Sequence, residues 1–172
     1  HEMHAHGIKS LLPCVVERLE KSSGGIVVHC SMGDRLDVDC VLFATGRRPS
    51  AHGIGLEEAG VRLDEQGAVV VDGEDRTSVP HIYAIGDVTN ALNLTPVATA
   101  MGHALADRLF GGSGRHVDLT YVPTAIFSAP PVATVGMSEV DAVEKGIGID
   151  IYKTDFRPLK HSRAERRQHT VM

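Results

Sequence analysis

Apolar and polar positions alternate in short runs along the first forty residues. The runs Cys14 to Leu19, Ile26 to Cys30 and Arg35 to Val38 read as strands, with Ser22-Ser-Gly-Gly25 and Met32-Gly33-Asp34 supplying the turns. Ahead of them, His1 to His6 reads as the tail of a helix capped by Gly7. The pattern then condenses into Val41-Leu-Phe-Ala-Thr45, an apolar run that predicts a strand buried on both faces. It stops at Gly46-Arg-Arg-Pro49, where Pro49 pushes Arg48 out of helical backbone geometry and the chain must turn away.

From Ser50 the rhythm changes. Leu56 to Gly60 reads as one helical turn with a Gly stop, and Asp64 to Gly67 as a turn into the strand Ala68 to Val71. A second strand, Ile82 to Ile85, ends at Gly86-Asp87. Thr95-Pro96 then opens a helix, with Thr95 as N-cap and Val97, Met101 and Leu105 at helical spacing until Gly111-Gly112. Beyond Leu119, the runs Ala125 to Phe127 and Ala133 to Val135 predict strands around Pro130-Pro131. Ser138-Glu-Val-Asp141 has the form of a capping box opening a helix that closes at Gly146. Ile149 to Tyr152 predicts another strand, and His161 to His169 a polar, basic loop.

Composition narrows the class. Of 172 residues, 42% are apolar and 23% charged, as in an ordinary globular protein, which excludes a disordered tail or a rod. No apolar run reaches the roughly 20 residues that span a bilayer. A formal charge of -5 argues against a nucleic-acid partner. Cys14, Cys30 and Cys40 are widely spaced and form no C-x-x-C, so they read as reduced, buried, small apolar residues in a cytoplasmic protein rather than as a disulfide scaffold or a catalytic set. His1-Glu-Met-His4 falls one residue short of the H-E-x-x-H zinc spacing with no third ligand nearby, so no metal is expected. The chain starts at His1 and stops at Met172 as an apolar run begins, which reads as a piece of a longer protein truncated at both ends.

Three features carry chemistry. Gly86-Asp87 places a carboxylate at a strand end, behind a glycine that permits close backbone approach, which suits a ligand's hydroxyl groups; a simple turn capping a loop would use the same residues. Eight residues on, the helix start at Thr95 offers unpaired N–H groups and the positive end of a dipole; an ordinary capped surface helix is the plainer alternative. Gly46 with Arg47 and Arg48 suits a dinucleotide phosphate, or is a solvated basic turn. No G-x-G-x-x-G, G-x-S-x-G or P-loop occurs.

Two segments together, Val41-Leu-Phe-Ala-Thr-Gly-Arg-Arg-Pro49 and Thr77-Ser-Val-Pro-His-Ile-Tyr-Ala-Ile-Gly-Asp87, resemble the flavin-dependent pyridine nucleotide-disulfide oxidoreductases. The first resembles the end of that family's NAD(P) domain and the second its second FAD motif. Asn93-Leu-Thr-Pro-Val-Ala98, Phe127-Ser-Ala-Pro-Pro131, Thr134-Val-Gly-Met137 and Phe156-Arg-Pro-Leu159 are most similar to the glutathione reductase branch. The resemblance implies an α/β fold: an incomplete, Rossmann-like FAD/NAD(P) two-domain arrangement followed by the start of an α+β dimerisation domain. Residues 1–49 would finish the NAD(P) domain, 50–118 would be the returning segment of the FAD domain, and 119–172 would begin the dimerisation domain.

It further implies FAD and NADPH as cofactors, with Gly86, Asp87, Leu94 and Thr95 at the FAD, and Gly46, Arg47 and Asn93 at the NADPH. The parent would be a cytoplasmic homodimer that passes a hydride from NADPH to FAD and on to a cysteine pair that reduces glutathione disulfide. Alternatives are dihydrolipoamide dehydrogenase, mercuric reductase or soluble transhydrogenase on the same fold, or a non-catalytic nucleotide-binding or dimerisation remnant. The family's C-x-x-x-x-C, its first G-x-G-x-x-G and its His-Pro…Glu segment do not occur in these residues, and His103 stands where some glutathione reductases carry an arginine. The chain alone is therefore expected to hold no catalytic residue, to be inactive, and to be poorly soluble or partly folded.

Overall fold

The computed structural model describes residues 2–162 and 168–172. It forms two compact units, Ala44–Val122 and a second made of His1–Phe43 with Pro123–Met172.

In the discontinuous unit, α1 (Glu2–Ala5) closes as expected on Gly7, with Ile8 N–H donating to Met3 C=O at 3.0 Å. Three antiparallel strands follow in the order β1 (Val16–Ser22), β2 (Gly25–Cys30) and β3 (Arg35–Val38). β1 starts and ends later than the apolar pattern predicts. Ser22 pairs with Gly25, so the hairpin needs only Ser23 and Gly24 as its loop and keeps Ser22 in the ladder. The central strand is the covered one: Val27, Val28 and Cys30 are buried, whereas β1 is exposed along its length. Cys30 thus matches the expectation of a buried strand cysteine, but Cys14 is only half-buried and precedes β1, and Cys40 is an exposed loop residue.

The later part of this unit holds the hairpin β4 (Thr124–Ile126) and β5 (Val132–Thr134), paired Ala125↔Ala133 around the prolines. The capping box is present. Ser138 Oγ accepts from Asp141 N–H at 3.1 Å, the Asp141 carboxylate accepts from Ser138 N–H, and α2 (Glu139–Glu144) follows. α3 (Leu159–Ser162) begins the segment expected to be a loop, much of which lies outside the described residues. The strand expected at Ile149 to Tyr152 does not form. Pairing starts at Thr154, which exchanges two backbone hydrogen bonds with Met172, and continues as β6 (Asp155–Phe156) with β7 (Thr170–Val171).

Val41 to Thr45 is likewise no strand. The run takes no regular secondary structure, and Leu42 and Phe43 are exposed. A doubly buried strand exists only through neighbours on both edges and layers on both faces, and among the described residues none pairs with it.

The continuous unit is organised around Ala51, Val61 and Val69, with Leu56, Val71, Ile82 and Val88 packed on them. Two aspartates make its turns. Asp64 Oδ1 accepts from Gln66 and Ala68 N–H at 2.8 Å each, and Asp72 Oδ1 from Glu74 and Arg76 N–H at 2.9 Å each. The expected strands Ala68 to Val71 and Ile82 to Ile85 shrink to single bridges, Leu63↔Val69 and Arg76↔Tyr83. Ala84 N–H to Asp75 C=O and Thr77 N–H to Ile82 C=O, at 3.0 Å each, close the Arg76↔Tyr83 bridge, while Val69 donates away from its bridge partner to Val88 C=O at 2.9 Å. α4 spans Thr95–Phe110 and buries Val97, Met101 and Ala104, a stripe at helical spacing. Ala104, not the half-buried Leu105, completes that stripe.

Candidate functional site

Ile85 arrives extended (φ -140°, ψ 162°) and the chain reverses at Gly86, whose φ is +68°. A 3-10 turn, Gly86–Thr89, carries Asp87 and is locked from within. Thr89 Oγ1 donates to Gly86 C=O at 2.8 Å, and Asn90, at φ +53°, donates its N–H to Asp87 C=O at 3.1 Å. Gly86 is required twice over. Its backbone is left-handed, and a Cβ there would stand 2.8 Å from the Ala98 Cβ. One helical turn on, a Cβ on Gly102 would meet Ile85 Cδ1 at 3.4 Å. Small residues at 98 and 102 of α4 therefore let the Ile85–Gly86 backbone lie directly on the helix.

That contact places Asp87 beside the start of α4. The Asp87 side chain is exposed, and its carboxylate has no hydrogen-bond or ion-pair partner among the described residues. The helix start is also without a protein partner. Leu94, not Thr95, is the N-cap (φ -126°, ψ 123°), and no side chain caps it. Thr95 is therefore not the cap expected from the sequence, and Pro96 stands one position further into the helix. The extended residue is Leu94, so Thr95 is already helical. Leu94 C=O takes the N–H groups of Val97 and Ala98 at 3.0 Å, and Pro96 has none to give. This leaves the exposed Thr95 N–H without an acceptor among the described residues, at a first turn that contains no acidic residue. No side chain caps the positive end of α4, and the exposed Asp87 carboxylate follows the glycine that rests on its first turn. Such a pairing accepts hydrogen bonds from a polyhydroxylated ligand and stabilises negative charge at the ligand's other end.

Leu94 is half-buried and Asn93 exposed at the same helix start. Gly46 (φ +104°) and Arg47 are both exposed, and no hydrogen bond or ion pair ties them to Asp87 or Thr95 among the described residues. Of the seven residues singled out from the sequence, the fold gathers Gly86, Asp87, Asn93, Leu94 and Thr95 around one end of α4. It does not join Gly46 and Arg47 to them.

Two features escaped the sequence reading. Ala98 and Gly102 are the small residues on which Gly86 and Ile85 rest. Arg108 is the other. Its side chain is only 9% exposed, it pairs with Asp75, and it donates to Arg115 C=O at 3.0 Å and Glu74 C=O at 3.3 Å beside a cavity of about 270 Å³. A signal was present, because Arg108 continues the stripe of Val97, Met101 and Ala104, and a charge in a buried stripe demands a partner.

Residues 1–102 match the pyridine nucleotide-disulphide oxidoreductase family, and residues 122–172 match the dimerisation domain of the same family. The chain is 46% identical over 159 residues to a glutathione reductase of Burkholderia cepacia, covering 92% of this chain and 35% of that protein. It is 44% identical over 130 residues to a trypanothione reductase of Trypanosoma congolense, covering 76% of this chain and 26% of the relative. Among solved structures, the HOCl-induced flavoprotein disulfide reductase RclA of Escherichia coli superposes on 99% of the chain with a TM-score of 0.84 and 31% identity, over 39% of its own length. The chain thus spans about a third of the relatives it matches. FAD and NADPH are the cofactors of this family, as the resemblance implied. On the match across more than half its length, and with the expected α/β fold, the chain belongs to the pyridine nucleotide-disulphide oxidoreductases.

Proposed function

We propose that the chain supplies one wall of the FAD site, and an edge of the NADPH site, in an enzyme that uses NADPH to reduce glutathione disulfide. The observation that carries this reading is the unpartnered Asp87 carboxylate held by the Gly86–Ala98 contact next to an uncapped helix start. Asp87 would accept hydrogen bonds from hydroxyl groups of the FAD chain. Thr95 N–H and the α4 dipole, with Leu94 packed at the turn, would face the electron-rich end of the flavin ring. Gly46 lets the backbone pass close to NADPH, Arg47 offers a guanidinium for its phosphates, and Asn93 lies toward the nicotinamide. Bound FAD supplies the hydride acceptance, while these residues orient it and favour the charge it gains.

In this reading residues 1–49 complete the NADPH domain, 50–118 return to the FAD domain, and 119–172 begin the interface of a homodimer. Glutathione disulfide is favoured as substrate by the likeness to glutathione reductases. We place the enzyme in the cytoplasm, where its thiols stay reduced. Among the described residues no helix is long and apolar enough to cross a membrane.

The test is Asp87→Ala in the intact flavoprotein. Losing a charge-assisted acceptor costs about 1.5–3 kcal/mol, so FAD should bind roughly 10- to 100-fold more weakly. Arg47→Ala should instead raise the KM for NADPH and leave FAD content alone. Unchanged FAD affinity in Asp87→Ala would overturn the site. Turnover of dihydrolipoamide or mercuric ion in preference to glutathione disulfide would overturn the substrate.

A further inference from the structure

The Gly86–Thr89 turn is tied to the 63–69 segment at two points. On one side of Thr89, Val69 N–H donates to Val88 C=O at 2.9 Å. On the other, the Asn90 side-chain amide donates from Nδ2 to Gln66 Oε1 at 2.9 Å, 24 positions away in sequence. Gln66 is a fixed anchor for that bond. Its backbone N–H and that of Ala68 both donate to Asp64 Oδ1 at 2.8 Å, and Gly67 N–H donates to Asp64 C=O at 3.0 Å. A single tie would leave the turn free to pivot about it; a second, two residues along, removes that rotation.

The backbone of Asn90 adds a second observation. Among the described residues, only Asn90 and Asp75 hold a positive φ without being glycine, and Asn90 is left-handed at φ +53° and ψ 26°. Asparagine takes that region at less cost than most side chains, and glycine at less still. A turn stop alone would be met by glycine, so what the amide adds is the bond to Gln66.

We propose that Asn90 is a positioning residue for Asp87. Its backbone N–H, donated to Asp87 C=O at 3.1 Å, ends the turn. Its side chain, held by Gln66, sets the orientation of that turn and so the direction of the Asp87 carboxylate. Asn90 acts through Asp87 rather than on the flavin. The inference deepens the flavin-site reading above and rests on it.

The experiment strips the intact flavoprotein of FAD and measures the FAD dissociation constant by fluorescence titration. The variants are Gln66→Ala, Asn90→Gly and the two combined, each with Asp87 and with Asp87→Ala. Asn90→Gly keeps the left-handed backbone and the N–H to Asp87, and removes the amide. Gln66→Ala removes the same bond from its far end, at an exposed position where folding is not at stake. Loss of one neutral hydrogen bond should weaken FAD binding roughly two- to tenfold in each single variant. The combined variant should be no weaker than the weaker single, and beside Asp87→Ala the effect should fall below about twofold. A side chain that merely supports the fold would act equally in both backgrounds. Unchanged FAD affinity in either single variant would overturn the proposal, as would a loss that persists in full beside Asp87→Ala. If Asp87→Ala weakens FAD binding and these variants do not, the positioning role alone fails. If Asp87→Ala has no effect either, the flavin-site reading fails and this inference fails with it.

Discussion

Gly86→Ala perturbs the Gly86–Ala98 contact that seats the candidate site on α4. Two costs can be separated. The φ of +68° places any L-residue in the left-handed region, at about 1–2 kcal/mol for alanine. The new Cβ would also stand 2.8 Å from the Ala98 Cβ, well inside the roughly 3.5–4.0 Å optimum for carbon pairs. Relieving that overlap by shifting backbone or helix costs about 1–3 kcal/mol. The sum is roughly 2–5 kcal/mol, a large share of a typical domain's stability.

A double-mutant cycle divides the two parts. Ala98→Gly alone should cost about 1 kcal/mol as a helix-interior glycine. In its presence Gly86→Ala should lose only the backbone strain, so the coupling equals the steric share, about 1–3 kcal/mol. Equilibrium urea denaturation of the four proteins measures this directly. A loss below about 1 kcal/mol for Gly86→Ala, or strict additivity in the cycle, would refute the claim that the 86–98 contact sets the position of Asp87.

Arg108→Met should destabilise by roughly 2–4 kcal/mol, because Asp75, 16% exposed in its side chain, loses its cation. Adding Asp75→Asn should recover part of that loss, and urea midpoints of the single and double variants check both statements. Ser138→Ala should cost about 1 kcal/mol through the lost capping box of α2. The same box gives a pH dependence. The Ser138 hydroxyl, then its N–H, hold the Asp141 carboxyl below its ordinary 3.8, so the stabilisation is fully present above that value. It is lost as pH falls through the lower folded-state value. Amide signals of α2 followed by NMR should therefore titrate below pH 3.8 in the unsubstituted protein, and in Ser138→Ala, which loses the hydroxyl but keeps the N–H, the transition should move up toward 3.8.

What was legible in the sequence is what short-range chemistry decides. The capping box at Ser138, the Gly7 stop and the tight turns at Ser23-Gly24 and Asp64 need only neighbouring residues, and they appear where the pattern puts them. Val41 to Thr45 and Ile149 to Tyr152 have the composition of strands but not the state. Strand character depends on partners far along the chain, and a pattern of apolar residues does not say whether they are present. At the site, Gly86 and Asp87 were visible as a strand-end pair, and the helix from Thr95 was visible through Pro96. The shift of the cap to Leu94 was hidden, because Thr is a good cap by type and only the backbone angles show which residue precedes the helix. Ala98 and Gly102 were unreadable for another reason. Small residues on a helix register as good or poor helix formers, and their value as a gap for another backbone appears only once that backbone is in place.

The bare start of α4 has a consequence for motion. A helix end with no side-chain cap, and with one N–H left open, is the turn that gives up least when it opens, so thermal fraying concentrates between Leu94 and Val97 while the buried stripe from Met101 onward stays closed. A ligand that accepts from Thr95 N–H acts as the missing cap and damps that fraying. Occupancy of the site would then be written in the amide-exchange rates of the first turn of α4, several residues away from any atom that reacts.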